Sequence, residues 1–253
     1  MHALVTGATS GLGAAMARAL LLDGATVTIA ARAGERLEQA VAGWRAEGLP
    51  AEGLALDVRD PDSAAAAAAA FRRRRVELEL VVNNAGIGMR TVNPSFLAQP
   101  QPFWEVSAEG FYDVVQTNLN GYFHVARAFA PLLIEQGHGR FVNVSINHET
   151  MRRPGFVPYG PSRAGSEALS LVMTEDLRPH GIAVNLLLPG GATDTGMIPD
   201  GVPDEARAGL LAADVMGPPI VFLASAEADG VTGERIVARE WDQWLARFRA
   251  NNS

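Results

Sequence analysis

The sequence predicts an α/β domain: a doubly wound parallel sheet with helices on both faces. Three observations carry that prediction. Short apolar runs of strand length alternate with longer stretches of helical periodicity along the chain. The first such run ends in a glycine-rich turn that opens directly into a helical segment. No linker or charge break divides the 253 residues, a length that suits one large α/β domain.

The elements can be justified in order. Residues 2–5 read as a buried strand and 11–22 as a helix. Residues 25–31 (ATVTIAA) form the second strand, followed by a helix at 35–47 and a strand at 51–57. Asp60 and Pro61 mark a helix start, with Asp as N-cap and Pro as the first helical residue. The seven alanines of 64–70 sustain that helix over 63–75. Arg72 to Arg75 complement the dipole at its end. A strand at 78–82, one long helix at about 107–136 and a strand at 140–145 come next. A helix at 159–177, a strand at 182–188, a helix at 218–225 and a short strand at 235–238 complete the alternation. Such alternation implies βαβ units and a sheet covered on both faces. Residues 87–105, which contain three prolines, and residues 191–214 are expected to be substrate-side loops. Trp241, Trp244, Leu245 and Phe248 recur at i, i+3, i+4 and i+7. Residues 239–253 are therefore expected to form an amphipathic helical tail, packed on a neighbouring subunit or over the pocket.

Composition excludes several classes. The absence of cysteine excludes a disulfide scaffold and any thiolate metal site. A net charge of −7 argues against nucleic acid as a partner. No apolar run approaches the roughly 18 residues of a membrane span, so a cytoplasmic protein is expected. All 21 basic residues are arginine.

The chemistry begins at the first turn, Thr6-Gly7-Ala8-Thr9-Ser10-Gly11-Leu12-Gly13. Its glycines allow a tight turn, close approach of a pyrophosphate and packing of helix on strand. The exposed N–H groups at the helix start favour a diphosphate. A strand before and a helix after make this a dinucleotide-binding, Rossmann-type signal.

The spacing G-x-x-x-G-x-G resembles the short-chain dehydrogenase/reductase family. Further matches lie in the family's order: Asp57-Val58 after the third strand and Asn83-Asn84-Ala85-Gly86 after the fourth. Asn118 in the long helix, Tyr159 four residues before a cation, and Pro189-Gly190 after the sixth strand follow. The resemblance implies a carbonyl/alcohol oxidoreductase that binds a nicotinamide dinucleotide and forms a homodimer or homotetramer. It implies that Gly7, Thr9, Ser10, Gly11, Leu12 and Gly13 hold the diphosphate, and Asp57 and Val58 the adenine. Asn84, Ala85 and Gly86 would line the ribose and nicotinamide side, with Pro189, Gly190, Ala192 and Thr195 opposite. Thr193 competes with Thr195 for the carboxamide. The second strand ends in Ala30-Ala31-Arg32, with no acid to bind a ribose 2′-hydroxyl. Arg32 instead suits a 2′-phosphate, so NADP(H) is expected, with NAD(H) as the alternative.

The catalytic set departs from the family. A phenol of pKa near 10 is a poor base at neutral pH, so Tyr159 needs a neighbouring cation. That cation is Lys in relatives and Arg163 here, one helical turn on. Arg supplies charge but does not release a proton. The family's substrate-orienting Ser lies thirteen residues before the Tyr, and that register falls on Ile146. Ser145 is one residue short, and one step along a strand turns a side chain to the other face. Ser145 serves if a bulge re-aims the strand end; Asn147 and His148 are replacements. Asn118 matches a relay position, or a helix kink. The resemblance thus assigns Tyr159, Arg163, Asn118 and Ser145 to catalysis, and Tyr159 and Arg163 to the cofactor as well. The altered set keeps two other readings open: an NADP(H)-binding protein with attenuated or non-redox activity, and a halohydrin-dehalogenase-like enzyme. A small substrate with an apolar body is expected, against Met89, Phe96, Phe103, Trp104, Met151, Phe156 and Met197.

Overall fold

The computed structural model describes residues 1–199 and 202–252. Residues 200, 201 and 253, which fall in the expected loop and tail, lie outside the described residues. Seven strands form one sheet: β1 (His2–Thr6), β2 (Thr26–Ala31), β3 (Ala51–Ala55), β4 (Leu80–Asn83), β5 (Gly139–Val144), β6 (Ile182–Leu188) and β7 (Arg235–Val237). The helices are α1 (Gly11–Leu22), α2 (Glu35–Ala46), α3 (Pro61–Arg74), α4 (Ala108–Val115), α5 (Gly121–Gln136), α6 (His148–Met151), α7 (Tyr159–Leu177), α8 (Asp204–Arg207), α9 (Gly217–Ala224) and α10 (Trp241–Asn251).

Strand order is 3-2-1-4-5-6-7 with every pairing parallel. The order reverses between β1 and β4, and a crevice opens at the carboxyl ends of strands at such a point. Successive residues of one strand serve opposite layers. Val5 of β1 packs with Met16, Leu20, Leu37, Val41 and Ile220 from α1, α2 and α9. Its neighbour Leu4 packs with Phe71, Phe129, Met173 and Leu177 from α3, α5 and α7. Burying each such side chain is worth about 1.5–3 kcal/mol, which fixes the strand ends as a rigid platform.

Local chemistry sets the boundaries. Asp60 caps α3 by accepting from the Asp62 N–H at 2.9 Å, and Pro61 opens the helix. The long helix expected at 107–136 is interrupted. Residues Gln116–Asn120 form a π turn between α4 and α5, and Asn118 sits inside it. Such turns widen the backbone and redirect one side chain. Residues 87–105 contain two 3-10 turns, Met89–Thr91 and Phe103–Glu105. Met89, Phe96 and Phe156 form a small separate core beside Tyr159.

Trp241, Trp244 and Phe248 do not line the cleft, which corrects the expectation that the tail packs over the pocket. Their rings lie 5.2, 5.6 and 5.3 Å from Phe222 of α9 in the same chain. The apolar stripe covers an apolar helix that the sheet leaves half-clad. Among the described residues, no helix is long and apolar enough to cross a membrane.

Candidate active site

A cleft of about 650 Å³ runs along the carboxyl ends of the strands. Gly7, Thr9, Ser10, Gly11 and Leu12 form one wall. Gly7 has φ +65°, and a Cβ there would stand 2.8 Å from Ala85 Cα, so the turn has room for hydrogen alone. The Thr6 hydroxyl fastens this turn to the end of β4. It accepts from the N–H groups of Asn84 (3.0 Å) and Ala85 (3.1 Å) and donates to Val82 O. The Asn84 amide returns the bond to Thr6 O at 2.9 Å. Asn84 therefore lines the cleft while its amide holds the loop. Ser10 occupies the N-cap of α1 without a side-chain bond to that helix, which leaves its hydroxyl available. Gly13 and Gly190 lie behind the wall. A Cβ on Gly13 would strike Asn84 and Gly7, and one on Gly190 would meet Val237 at 2.6 Å.

At the far end of the cleft stand Ala31, Arg32, Asp57 and Val58, joined by two arginines not singled out in the sequence, Arg36 and Arg59. Asp57 accepts from Arg59 Nη2 at 3.1 Å and Nε at 3.3 Å. Partial burial pushes the Asp57 carboxyl up. The Arg59 hydrogen bonds, with the charges of Arg59 and Arg32, outweigh it and hold the carboxyl below its ordinary value. No carboxylate stands at the end of β2 itself.

Tyr159 and Arg163 lie on the first turns of α7 and both line the cleft. The guanidinium carbon stands 5.5 Å from the Tyr159 ring and 5.4 Å from that of Tyr122. Arg163 is 3% exposed. Its Nη1 donates to the Tyr122 hydroxyl at 2.6 Å and to Val144 O at 3.0 Å. A Cβ on Gly86 would be 2.5 Å from its Nη2, so that nitrogen lies against the cleft floor. Burial works against the charge, but Tyr122 and Tyr159 outweigh it and keep the pKa above the ordinary guanidinium value. Burial likewise pushes the Tyr122 phenol up, with Arg163 pulling the other way. Tyr122 lies in α5, behind an Arg where the family pattern has Lys. Its spacing from Arg163 carries no periodic signal that would single it out.

Asn118 does not line the cleft. It is fully buried and clamps the backbone of Ile87, accepting from its N–H at 2.8 Å and donating to its carbonyl at 2.9 Å. Its amide also reaches Ser162 Oγ at 3.2 Å. This geometry matches the kink reading: the π turn presents an amide to the chain after β4.

Past β5 the backbone enters the cleft wall. Ser145 does not face Tyr159. Its hydroxyl, 1% exposed, donates to Glu167 Oε1 at 2.5 Å. Arg235 Nε reaches the same carboxylate oxygen at 3.0 Å, and Arg235 Nη2 donates to Ile146 O at 2.8 Å. His148 Nε2 lies 3.4 Å from Glu167 Oε2. The expectation that Ser145 orients a substrate oxygen does not fit this arrangement. The one-residue shift has turned the hydroxyl towards α7, as strand alternation requires. Ser145 still borders the cleft, but with its hydroxyl on Glu167, beside Ile146, Asn147 and Thr150 on the same wall.

Pro189, Ala192, Thr193 and Thr195 complete the nicotinamide-side wall. Thr195 lies against the phosphate turn, 3.4 Å from where a Gly11 Cβ would be. Thr193 is buried, with its hydroxyl on Gly191 O at 3.3 Å. The open end beyond Tyr159 carries Met89, Phe96, Phe156, Met197 and Ile198, with Arg90 and Arg153 at the same end. Phe103 and Trp104, expected here, are 67% and 72% exposed and stand outside it, as does Met151.

Known proteins are similar to this chain in sequence and fold. A family model described as short chain dehydrogenase matches residues 1–206. Gluconate 5-dehydrogenase of Gluconobacter oxydans (strain 621H) is 35% identical over 189 residues, covering 75% of this chain and 70% of that protein. The 3-oxoacyl-acyl-carrier-protein reductase FabG of Escherichia coli (strain K12) is 31% identical over 243 residues, covering 92% and 93%. The solved gluconate 5-dehydrogenase of Burkholderia cenocepacia J2315, in complex with NADP and tartrate, superposes with TM-score 0.82 at 29% identity, covering 93% and 92%. Actinorhodin polyketide ketoreductase with NADPH gives TM-score 0.80 at 29% identity, covering 93% and 94%. With a parallel 3-2-1-4-5-6-7 sheet, a glycine-rich turn at its switch point and Tyr159 on the cleft wall, the chain belongs to the short-chain dehydrogenase family of oxidoreductases.

Proposed function

We propose that this protein is an NADP(H)-dependent oxidoreductase that interconverts a carbonyl and an alcohol. One observation carries the reading. Tyr159 and a permanently charged Arg163 flank each other on the wall of a cleft whose other end holds arginines and no β2 carboxylate. The cradle fits a dinucleotide: Gly7 admits no side chain, and the α1 N-terminus opens beside it. In this reading Gly7, Thr9, Ser10, Gly11 and Leu12 hold the diphosphate, with Gly13 packing helix on strand. Arg32, helped by Arg36 and Arg59, binds the 2′-phosphate. Asp57 and Val58 hold the adenine. Ala85 and Gly86 floor the ribose and nicotinamide side, with Pro189, Gly190, Ala192 and Thr195 opposite. The nicotinamide supplies or accepts hydride when bound.

The chain's own residues do the rest. Tyr159 gives the proton to the carbonyl oxygen in reduction and takes it back in oxidation. Arg163 stabilises the phenolate by its charge. It does not relay the proton, because a guanidinium stays charged. Asn118 holds Ile87 and so shapes the floor. Met89, Phe96, Phe156 and Met197 favour a substrate with an apolar body. Relatives named as acting on gluconate and on 3-oxoacyl groups support a carbonyl substrate class. The outward faces of α5 and α7 expose Phe123, Leu171 and Val172, which supports a homodimer or homotetramer. A second reading, an NADP(H)-binding protein with attenuated redox activity, is favoured by the engagement of Ser145 with Glu167.

The test is titration with NADPH and NADH, then reduction of a panel of small ketones and aldehydes followed by loss of reduced-nicotinamide absorbance. NADPH binding with turnover supports the main reading. NADPH binding without turnover supports the second. Neither overturns both.

A further inference from the structure

Beside Tyr159 and Arg163 the cleft wall carries Ser145, whose hydroxyl is engaged by Glu167 and not turned to a substrate oxygen. Ser145 is tied to Glu167, and Ile146 at the usual register is apolar. Arg235 bonds both Glu167 and Ile146 O, so the chain leaving β5 is pinned from behind. The next residue is Asn147. Its backbone carbonyl accepts from Met151 N at 3.0 Å, which fixes it at the start of α6. An Asn at an N-cap ordinarily turns its side chain onto the helix N–H groups. This one makes no such bond, and its amide has no hydrogen-bond partner among the described residues. It is half-buried and shares the cleft wall with Ile146 and Tyr159.

We propose that the Asn147 amide orients the substrate, donating from Nδ2 to the oxygen that Tyr159 protonates. The inference rests on the oxidoreductase reading above. In reduction the carbonyl carbon receives hydride from the reduced nicotinamide, and the C–O π pair moves onto oxygen. The oxygen takes the Tyr159 proton. Asn147 donates a hydrogen bond throughout and transfers nothing. An amide N–H serves here as a hydroxyl would, because the developing oxyanion needs a positioned donor and not a second acid. The Ser145–Glu167–Arg235 cluster is then a positioning device: it draws the hydroxyl away and sets Asn147 at the wall.

The experiment compares wild type, Asn147→Ala, Asn147→Asp and the double variant Asn147→Ala/Ile146→Ser on the same carbonyl panel. NADPH affinity of each reports an intact fold. The expected result is a loss of about 100- to 1,000-fold in kcat/KM for Ala, the range for removing one such donor. Asp, which keeps the size, loses the donor and adds a negative charge beside the developing oxyanion, falls at least as far. Ile146→Ser restores part of the loss, and NADPH binding is unchanged in all. Wild-type kcat/KM in Asn147→Ala overturns the assignment. Thr150→Ala, the neighbouring hydroxyl on that wall, is measured alongside, and a loss confined to it overturns the assignment too. A wild type that binds NADPH and reduces nothing in the panel overturns the oxidoreductase reading, and this assignment with it.

Discussion

Replacing Tyr122 with Phe removes one oxygen from the middle of the protein and leaves the ring in place. That oxygen accepts from Arg163 Nη1 at 2.6 Å and donates to Val144 O at 3.1 Å. A hydrogen bond to a charged group is worth about 1.5–3 kcal/mol net, and a buried group left unpaired costs a comparable amount. Val144 O keeps its bond from Arg163, and Nη1 keeps Val144 O, so part of the loss is offset. The guanidinium already holds one buried nitrogen, Nε, without a partner, and cannot readily absorb a second deficit. The expected cost is about 2 kcal/mol. At roughly 2–4 °C per kcal/mol for a chain of this size, Tm should fall by about 4–8 °C. Urea denaturation of wild type, Tyr122→Phe and Tyr112→Phe measures it. Tyr112 is 61% exposed, so its variant should stay within about 0.5 kcal/mol of wild type. Equal stability of Tyr122→Phe and wild type would refute the claim that this hydroxyl holds the buried cation.

Arg163→Lys should also destabilise, by about 1–2 kcal/mol, because an ammonium cannot span Tyr122, Val144 O and the Gly86 side as a planar fork does; the same denaturation series reads it. Arg32→Ala should weaken NADPH binding by roughly 10- to 100-fold and leave NADH binding nearly unchanged, the loss of one charge-assisted bond to a phosphate; fluorescence titration with both nucleotides checks it. Glu167→Gln should lower stability by about 1–3 kcal/mol, since Arg235 and Ser145 both depend on that carboxylate; thermal melts that show no change would remove the clamp described after β5. His2 has a pKa held below 6.5, with burial the largest cause. The unfolded chain therefore binds more protons below that pH, so stability should fall as pH drops from about 6.5 and hold steady above it. His2→Gln should flatten that slope in urea midpoints taken across this range.

The fold was legible because its signals are local and repeated. Apolar runs that face two covered layers stay largely apolar, as in β1, β4 and β6 inside the sheet, while the edge strands β3 and β7 carry Glu52 and Arg235. The phosphate turn was legible because glycine at position 7 answers a steric demand, the approach of Ala85, that no other residue meets. The π turn was not, since the widened turn at Gln116–Asn120 keeps helical composition and only displaces one side chain. Tyr122 was missed for a related reason. Its importance comes from a contact between two helices far apart in sequence, and neither helix signals it alone. Strand alternation did anticipate a Ser145 that faces away, but not that Glu167, itself held by Arg235, receives it. The tail was read correctly as an amphipathic helix, but a seat over the pocket is not where it packs, because periodicity tells that a face is apolar and not what covers it.

The central claim is that the cleft is built for a phosphorylated nicotinamide dinucleotide and uses it on a carbonyl. Titration of the whole chain with NADPH and, in parallel, NADH tests it most directly, followed by quenching of its four tryptophans. The account predicts saturable NADPH binding with NADH weaker by at least about tenfold, the worth of one charge-assisted phosphate contact. Binding of neither nucleotide would contradict it, whatever the glycine turn and Tyr159 suggest.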